Sequence, residues 1–136
     1  MEIRLAKIED FRIFNEMYKY TFYEDNSCEL QPMLKEQYVK LVEDECIYFA
    51  IQNGKVMGFA QIYAFQDGEA FISLMYIKEK NKGYGTMFYN LIENEIRESG
   101  LNRICIHVFD ERPERFWERQ GFRSVRCTEK IIKELK

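Results

Sequence analysis

Proline is scarce, two in 136 residues, and glycine stops at seven, which excludes collagenous or linker-like material. The four cysteines, Cys28, Cys46, Cys105 and Cys127, include no Cys-x-x-Cys pair, so neither a zinc knuckle nor a redox pair is written here and no metal is expected. No apolar run approaches the ~20 residues needed to cross a bilayer. The opening MEIRLAKIEDF alternates instead of following the basic-then-apolar order of an export signal. The expectation is a cytoplasmic protein with free thiols and no membrane partner. Excess positive charge is missing too: 20 Lys+Arg against 23 Asp+Glu give −3, which argues against nucleic acid and mildly favours a cationic partner.

Apolar matter is plentiful. Hydrophobic residues make up 46% of the chain and aromatics 15%, enough for one real core, and the length predicts a single domain over 1–136. Alternation in Glu2 to Ala6 predicts a strand, and Ile8, Phe11, Phe14, Tyr18 and Phe22 form a helical stripe. Glu24 to Pro32 read as a connection, and Leu34, Tyr38, Leu41 and Val42 as a second amphipathic helix. Cys46 to Gln52 and Val56 to Phe65 flank Asn53-Gly54, the strongest short hairpin signal, and Asp67-Gly68 reverses the chain again into Ala70 to Ile77. From Tyr84 the period changes: Met87, Phe88, Leu91, Ile92 and Ile96 line one helix face, closed by Ser99-Gly100. Arg103 to Phe109 reads as an interior strand. Pro113 suits the start of another helix, Phe116 and Trp117 its buried side and Gly121 its stop; Phe122 to Leu135 looks like two short strands, of which Glu129 to Lys136 could equally turn helical.

The order β-α-α-β-β-β-α-β-α-β-β predicts an α/β (α+β) domain. Its sheet is mixed, mostly antiparallel and flanked by helices, and the central strand-helix-strand crossover sets Ala70 to Ile77 parallel to Arg103 to Phe109. Chemistry concentrates at that crossover. A helix start presents unpaired N–H groups and the positive end of its dipole, and Gly83 and Gly85 leave the approach clear while Lys80 and Lys82 add charge. A basic glycine-containing surface turn is the plain alternative. No Walker A loop and no third glycine of a dinucleotide fingerprint is present.

Here the chain resembles the GNAT superfamily of acyl-CoA-dependent N-acyltransferases. That family's central motif is Gln/Arg-x-x-Gly-x-Gly/Ala at a strand-to-helix turn, and Lys80-Asn81-Lys82-Gly83-Tyr84-Gly85 is similar to it with Lys in first place. A closing Tyr-x-x-x-Gly-Phe motif is also echoed, by Trp117-Glu118-Arg119-Gln120-Gly121-Phe122. The resemblance implies acetyl-CoA as co-substrate. Lys80, Asn81, Lys82, Gly83, Tyr84, Gly85 and Thr86 would cradle its phosphates, and the main chain of Met75, Tyr76 and Ile77 would meet the pantetheine arm and the thioester carbonyl. A fixed N–H on that carbonyl is an oxyanion-hole effect worth ~10²–10³ in rate.

Trp117 stands where many members carry a tyrosine that protonates the leaving thiolate. An indole N–H cannot act as a proton-transfer acid near neutral pH, so the tyrosine route is absent, with Tyr84 and Tyr89 as the hydroxyls that could replace it. Glu69 is the nearest placement to the glutamate base many members use; its plain reading is a solvated turn residue. His107, the only histidine, is a candidate catalytic group or a hydrogen-bonded core imidazole. The implied function is transfer of an acetyl group to a primary amine of a small molecule or peptide by direct attack. The alternative is an acyl-CoA-binding module of the same fold with weak or no turnover, and a third reading is a small interaction protein whose glycines merely shape a turn. Homodimers are common in such folds, so self-pairing is an open expectation.

Overall fold

The computed structural model describes residues 1–23, 32–64, 67–79, 82–107, 116–124 and 130–135. Strand β1 (Glu2–Leu5) leads through a 3₁₀ turn (Ile8–Asp10) into α1 (Phe11–Tyr23), followed by α2 (Lys35–Glu43). Strands β2 (Ile47–Gln52), β3 (Lys55–Ala64) and β4 (Glu69–Ile77) form the meander. Then come α3 (Tyr84–Glu98), β5 (Arg103–His107), a helical turn at 116–119, β6 (Arg123–Ser124) and β7 (Lys130–Glu134). The seven strands lie in the order β1-β2-β3-β4-β5-β7-β6, with β4 and β5 parallel and every other pair antiparallel. This is the mixed, mostly antiparallel sheet and parallel crossover that the element order predicts. Pro113 and residues 108–109, 125–129 and 136 lie outside the described residues.

Local chemistry accounts for the joints. Asn53 and Gly54 both have positive φ, 54° and 76°, the combination a type I′ hairpin turn requires. At the end of α3, Gly100 takes φ 86° and the Leu101 amide donates back to the Ile96 carbonyl at 3.4 Å, a Schellman stop. The start of the 3₁₀ turn is held by Asp10, which accepts from the Lys7 amide at 2.9 Å and from Arg4 Nη1 at 2.8 Å.

Two apolar layers sandwich the sheet. On one side Phe88, Tyr89, Ile92 and Ile96 of α3 pack on Ala60, Ile62, Ala70, Ile72 and Ile104, and on the other Phe14 and Met17 of α1 with Tyr38 of α2 pack on Ile47, Phe49 and Phe59. Tyr38 is fully buried with its hydroxyl on the Lys7 carbonyl at 2.5 Å, and burial, the largest influence, raises its pKa. Gly58 faces β4 without room for a side chain: a Cβ there would collide with the Tyr76 carbonyl oxygen.

Candidate active site

The functional geometry begins with a fault in β4. Gln61 pairs with Leu74 but Ile62 pairs with Ile72, so Ser73 is an extra residue with no partner on β3. Its hydroxyl instead donates to the Gln61 carbonyl at 3.2 Å. A bulge of this kind shifts the side-chain phase by one. Ala70 and Ile72 face α3 before it; Met75 and Ile77 do so after it, while Leu74 and Tyr76 turn to the α1 side.

At the same place β4 loses its other neighbour. The parallel pairing runs Glu69↔Arg103, Ala70↔Ile104, Phe71↔Cys105 and no further among the described residues, although β5 continues against β7 to His107↔Lys130 and β4 against β3 to Gly58↔Ile77. The two strands part into a V. Main-chain groups of a strand alternate in direction. The Lys78 amide donates to the Met57 carbonyl on β3 at 2.8 Å, so Tyr76 shares that direction and Met75 and Ile77 present N–H and C=O to the open edge. Of the three residues expected to offer backbone groups to a pantetheine arm, two therefore face the gap; the Tyr76 carbonyl is turned against Gly58 of β3.

Beyond the open end of the V lies the start of α3. Gly83 caps it in the left-handed region (φ 79°), and the first amide to donate back into the helix is Met87, to the Gly83 carbonyl at 3.1 Å. The amides of Tyr84, Gly85 and Thr86 precede it and have no acceptor within the helix. A Cβ at Gly83 would meet none of the described residues within 4 Å. Gly85 is different: a Cβ there would stand 3.3 Å from a ring carbon of Phe116. Its bareness serves the contact between α3 and the 116–119 turn. Thr86 is tied to the same turn, its hydroxyl accepting from Gln120 Nε2 at 3.3 Å. Lys82 pairs with Glu79 at 3.1 Å, both exposed, while Lys80 and Asn81 lie outside the described residues.

Trp117 is buried (7% exposed), with edge-to-face contacts to Tyr89, Phe116 and Phe122 at 4.8–5.6 Å. Tyr89 gives its hydroxyl to Glu93 at 2.8 Å, and burial, followed by that carboxylate, drives its pKa far above the usual phenol range. That hydroxyl is committed to Glu93 inside the core. Glu93 also holds Lys133 at 2.6 Å, and Lys133 reaches the Gln120 carbonyl at 2.6 Å, so this corner is a braced polar cluster behind the aromatic contacts.

The opposite, α1 side of the V carries Glu69, Gln61, Tyr63 and Phe71. Alternation with Ala70 and Ile72 puts Glu69 on this face, where its carboxylate meets Arg103 Nη1 at 3.7 Å, and Arg103 in turn holds Glu134 at 2.9 Å. Glu69 is thus an ion-paired residue at the closed end of the V, not a solvated turn residue. Tyr63 stacks with Phe71 at 6.4 Å. Above them, burial and, to a smaller degree, Tyr63 push the Tyr18 hydroxyl of α1 above its ordinary pKa. His107 ends β5 opposite Lys130, and its side chain lies outside the described residues. Ser73, Gln61, Tyr63 and Arg103 were not picked out by sequence patterns; only the β-strand phase, once the bulge is located, marks them.

A model of the acetyltransferase (GNAT) family matches residues 11–122. The chain belongs to the GNAT family. GNAT proteins are enzymes that use acetyl-CoA, and this chain's fold agrees with theirs over nearly its whole length. It is similar to the PaiA N-acetyltransferase of Thermoplasma acidophilum in complex with coenzyme A, at TM-score 0.82 and 18% identity over 98% of each chain. Ribosomal-protein-alanine N-acetyltransferase of Brucella melitensis follows it at TM-score 0.75 and 18% identity, over 99% of this chain and 100% of that one. N-acetylglutamate synthase of Neisseria gonorrhoeae, complexed with coenzyme A and N-acetyl-glutamate, matches at TM-score 0.77 and 15% identity, over 99% of this chain and 35% of that one. No curated protein matches the chain. Three GNAT folds with such different names leave this chain's acceptor to be argued from its own residues.

Proposed function

We propose that the protein transfers an acetyl group from acetyl-CoA to a primary amine of a small molecule or peptide, by direct attack of the amine on the thioester. The observation that carries this reading is the parting of β4 from β5 after Phe71 and Cys105, ahead of a helix start at Gly83 where a Cβ would meet none of the described residues within 4 Å. The fit of coenzyme A rests on the same geometry. Backbone amides of Tyr84, Gly85 and Thr86 bind phosphate oxygens at the bare Gly83 position, and Lys80, Asn81 and Lys82 precede them in the sequence. Met75 and Ile77 supply edge N–H and C=O groups to the amide-bearing arm, as an added strand would.

The bound thioester supplies an activated acetyl group on a thiolate whose pKa, near ~8.5, makes it a tolerable leaving group without a dedicated acid. The chain's own residues do the rest. Edge amides of β4 donate to the carbonyl oxygen where negative charge develops. Glu69, on the α1 side, takes the proton of the attacking amine through water; its ion pair with Arg103 orients that carboxylate. Trp117 packs the thiolate side of the cleft without donating a proton, and His107 is a second candidate to move one.

Calorimetry with coenzyme A and a thiol-release assay over polyamines, aminoglycosides, amino acids and peptide N-termini test the reading. Binding together with amine-dependent thiol release is expected. Binding without release for any amine favours the non-catalytic acyl-CoA module, for which Trp117 in the tyrosine position speaks, and absence of binding by folded protein leaves the glycines a purely structural role.

A further inference from the structure

Gln61 is the one buried polar or charged residue among the described side chains, 7% exposed in the middle of β3. Its Nε2 donates to the Tyr63 hydroxyl at 2.6 Å, yet its Oε1 is buried with no hydrogen-bond partner among the described residues. An amide oxygen stripped of water and left unpaired is costly, and such atoms in native folds call for an occupant. One other side-chain atom shares this state, Oε1 of Gln52, but Gln52 stands beside the Asn53-Gly54 turn, at the far end of the hairpin from the bulge.

Position says what the Gln61 oxygen is for. Gln61 lies between Ala60 and Ile62, both of which face α3, so it projects on the α1 side with Tyr63, Phe71 and Glu69. It pairs with Leu74, its carbonyl receives the Ser73 hydroxyl, and it is therefore level with the bulge and one strand spacing, about 4.8 Å, from the open edge of β4. The Tyr63 hydroxyl accepts from Nε2 and so orients the amide, leaving Oε1 without a partner among the described residues.

Resting on the transferase reading above, we infer that Gln61 is an acceptor-binding residue: its free Oε1 accepts an N–H of the incoming amine on the α1 side of the Ser73 bulge, and Tyr63 positions the amide that does so. An oxygen can only accept, so the site selects nitrogens that still carry hydrogen after one proton has left. Primary amines qualify, since their amide product keeps one N–H. Secondary amines, whose product keeps none, lose this contact.

Two thioether analogues of coenzyme A test this without knowledge of the natural acceptor. In one the sulfur carries CH₂–CO–NH–CH₃, in the other CH₂–CO–N(CH₃)₂, so the amide nitrogen stands for the acceptor nitrogen with and without hydrogen. Wild-type protein is expected to bind the N-methyl analogue about tenfold more tightly than the dimethyl one. Gln61→Met should erase that preference and leave affinity for coenzyme A itself within twofold; Gln61→Glu, which keeps an acceptor oxygen, should retain it. Should Gln61→Met not fold, Tyr63→Phe is read in its place and is expected to cut the preference to threefold or less. Wild-type protein that binds coenzyme A but takes both analogues equally, or a preference that persists in Gln61→Met, overturns the assignment alone. Failure to bind coenzyme A at all overturns the transferase reading and this assignment with it.

Discussion

Gly85 and Phe116 touch: a side chain at position 85 would begin 3.3 Å from the Phe116 ring, whereas one at Gly83, two residues earlier, would meet none of the described residues within 4 Å. Two glycines that look equivalent in Gly-x-Gly therefore have separate duties, and substitution should separate them. Gly85→Val overpacks the α3 contact and is expected to cost about 1–3 kcal/mol of stability. Gly83→Asn keeps a residue that tolerates the left-handed φ of 79°, so it should cost under about 1 kcal/mol while weakening coenzyme A binding at least tenfold. Denaturant melts and calorimetry on both variants check this; equal loss of stability and binding at Gly83 would make that glycine structural.

Why sequence patterns confuse the two glycines is a matter of what a linear pattern encodes. Asn53-Gly54 and Gly100 are legible because their turn geometry is set by their own φ values, and the α3 stripe because its period is local. Ser73 is not: Ala-Phe-Ile-Ser-Leu-Met-Tyr-Ile is apolar on both faces, so nothing in the run marks where its phase slips. The Glu69–Arg103 and Gln120–Thr86 contacts join residues 34 positions apart, and Gln61 reads as an ordinary strand polar residue until its burial is known. The element order and the glycine-containing turn ahead of α3 were thus readable, whereas the α1 side of the parted strands depends on tertiary register.

Glu69 offers the sharpest kinetic test of the proposed chemistry. Glu69→Gln keeps the shape but cannot take a proton, and loss of a general base typically costs ~10²–10⁴ in rate. With an amine substrate from the thiol-release screen, kcat is expected to fall at least 100-fold, with coenzyme A affinity unchanged. Arg103→Met should lower kcat less, since the carboxylate survives without its orienting partner. A fall under threefold in Glu69→Gln would leave Glu69 a structural partner of Arg103.

Acid stability should trace to Glu93. Burial works to raise its carboxyl, but hydrogen bonds from Lys133 and Tyr89, with the charges of Lys133 and Arg97, outweigh burial and hold it below the ordinary value of 4.5. A carboxyl depressed in the folded state contributes stability that is fully present above its unfolded pKa and is lost as pH falls through the folded one. Wild-type protein is therefore expected to lose stability steadily below pH 4.5, and Glu93→Gln to start lower at neutral pH with a flatter acid limb. Parallel acid limbs in the two proteins would assign the acid sensitivity to other carboxyls.

Trp117 tests whether the absent tyrosine matters. Its ring is enclosed by Tyr89, Phe116 and Phe122, so Trp117→Phe removes buried volume and should lower stability by about 1–3 kcal/mol, in the lower part of the range for large-to-small core changes because a ring is kept. Proton transfer is not something an indole performs near neutral pH, so kcat measured below the melting range should stay within threefold of wild type. Trp117→Tyr places a hydroxyl in the same enclosure and should lose similar stability with no loss of transfer rate. A collapse of kcat in Trp117→Phe, with coenzyme A affinity and fold intact, would mean that the indole N–H itself contacts the reacting groups, and the leaving thiolate would then depend on a hydrogen bond from Trp117 after all.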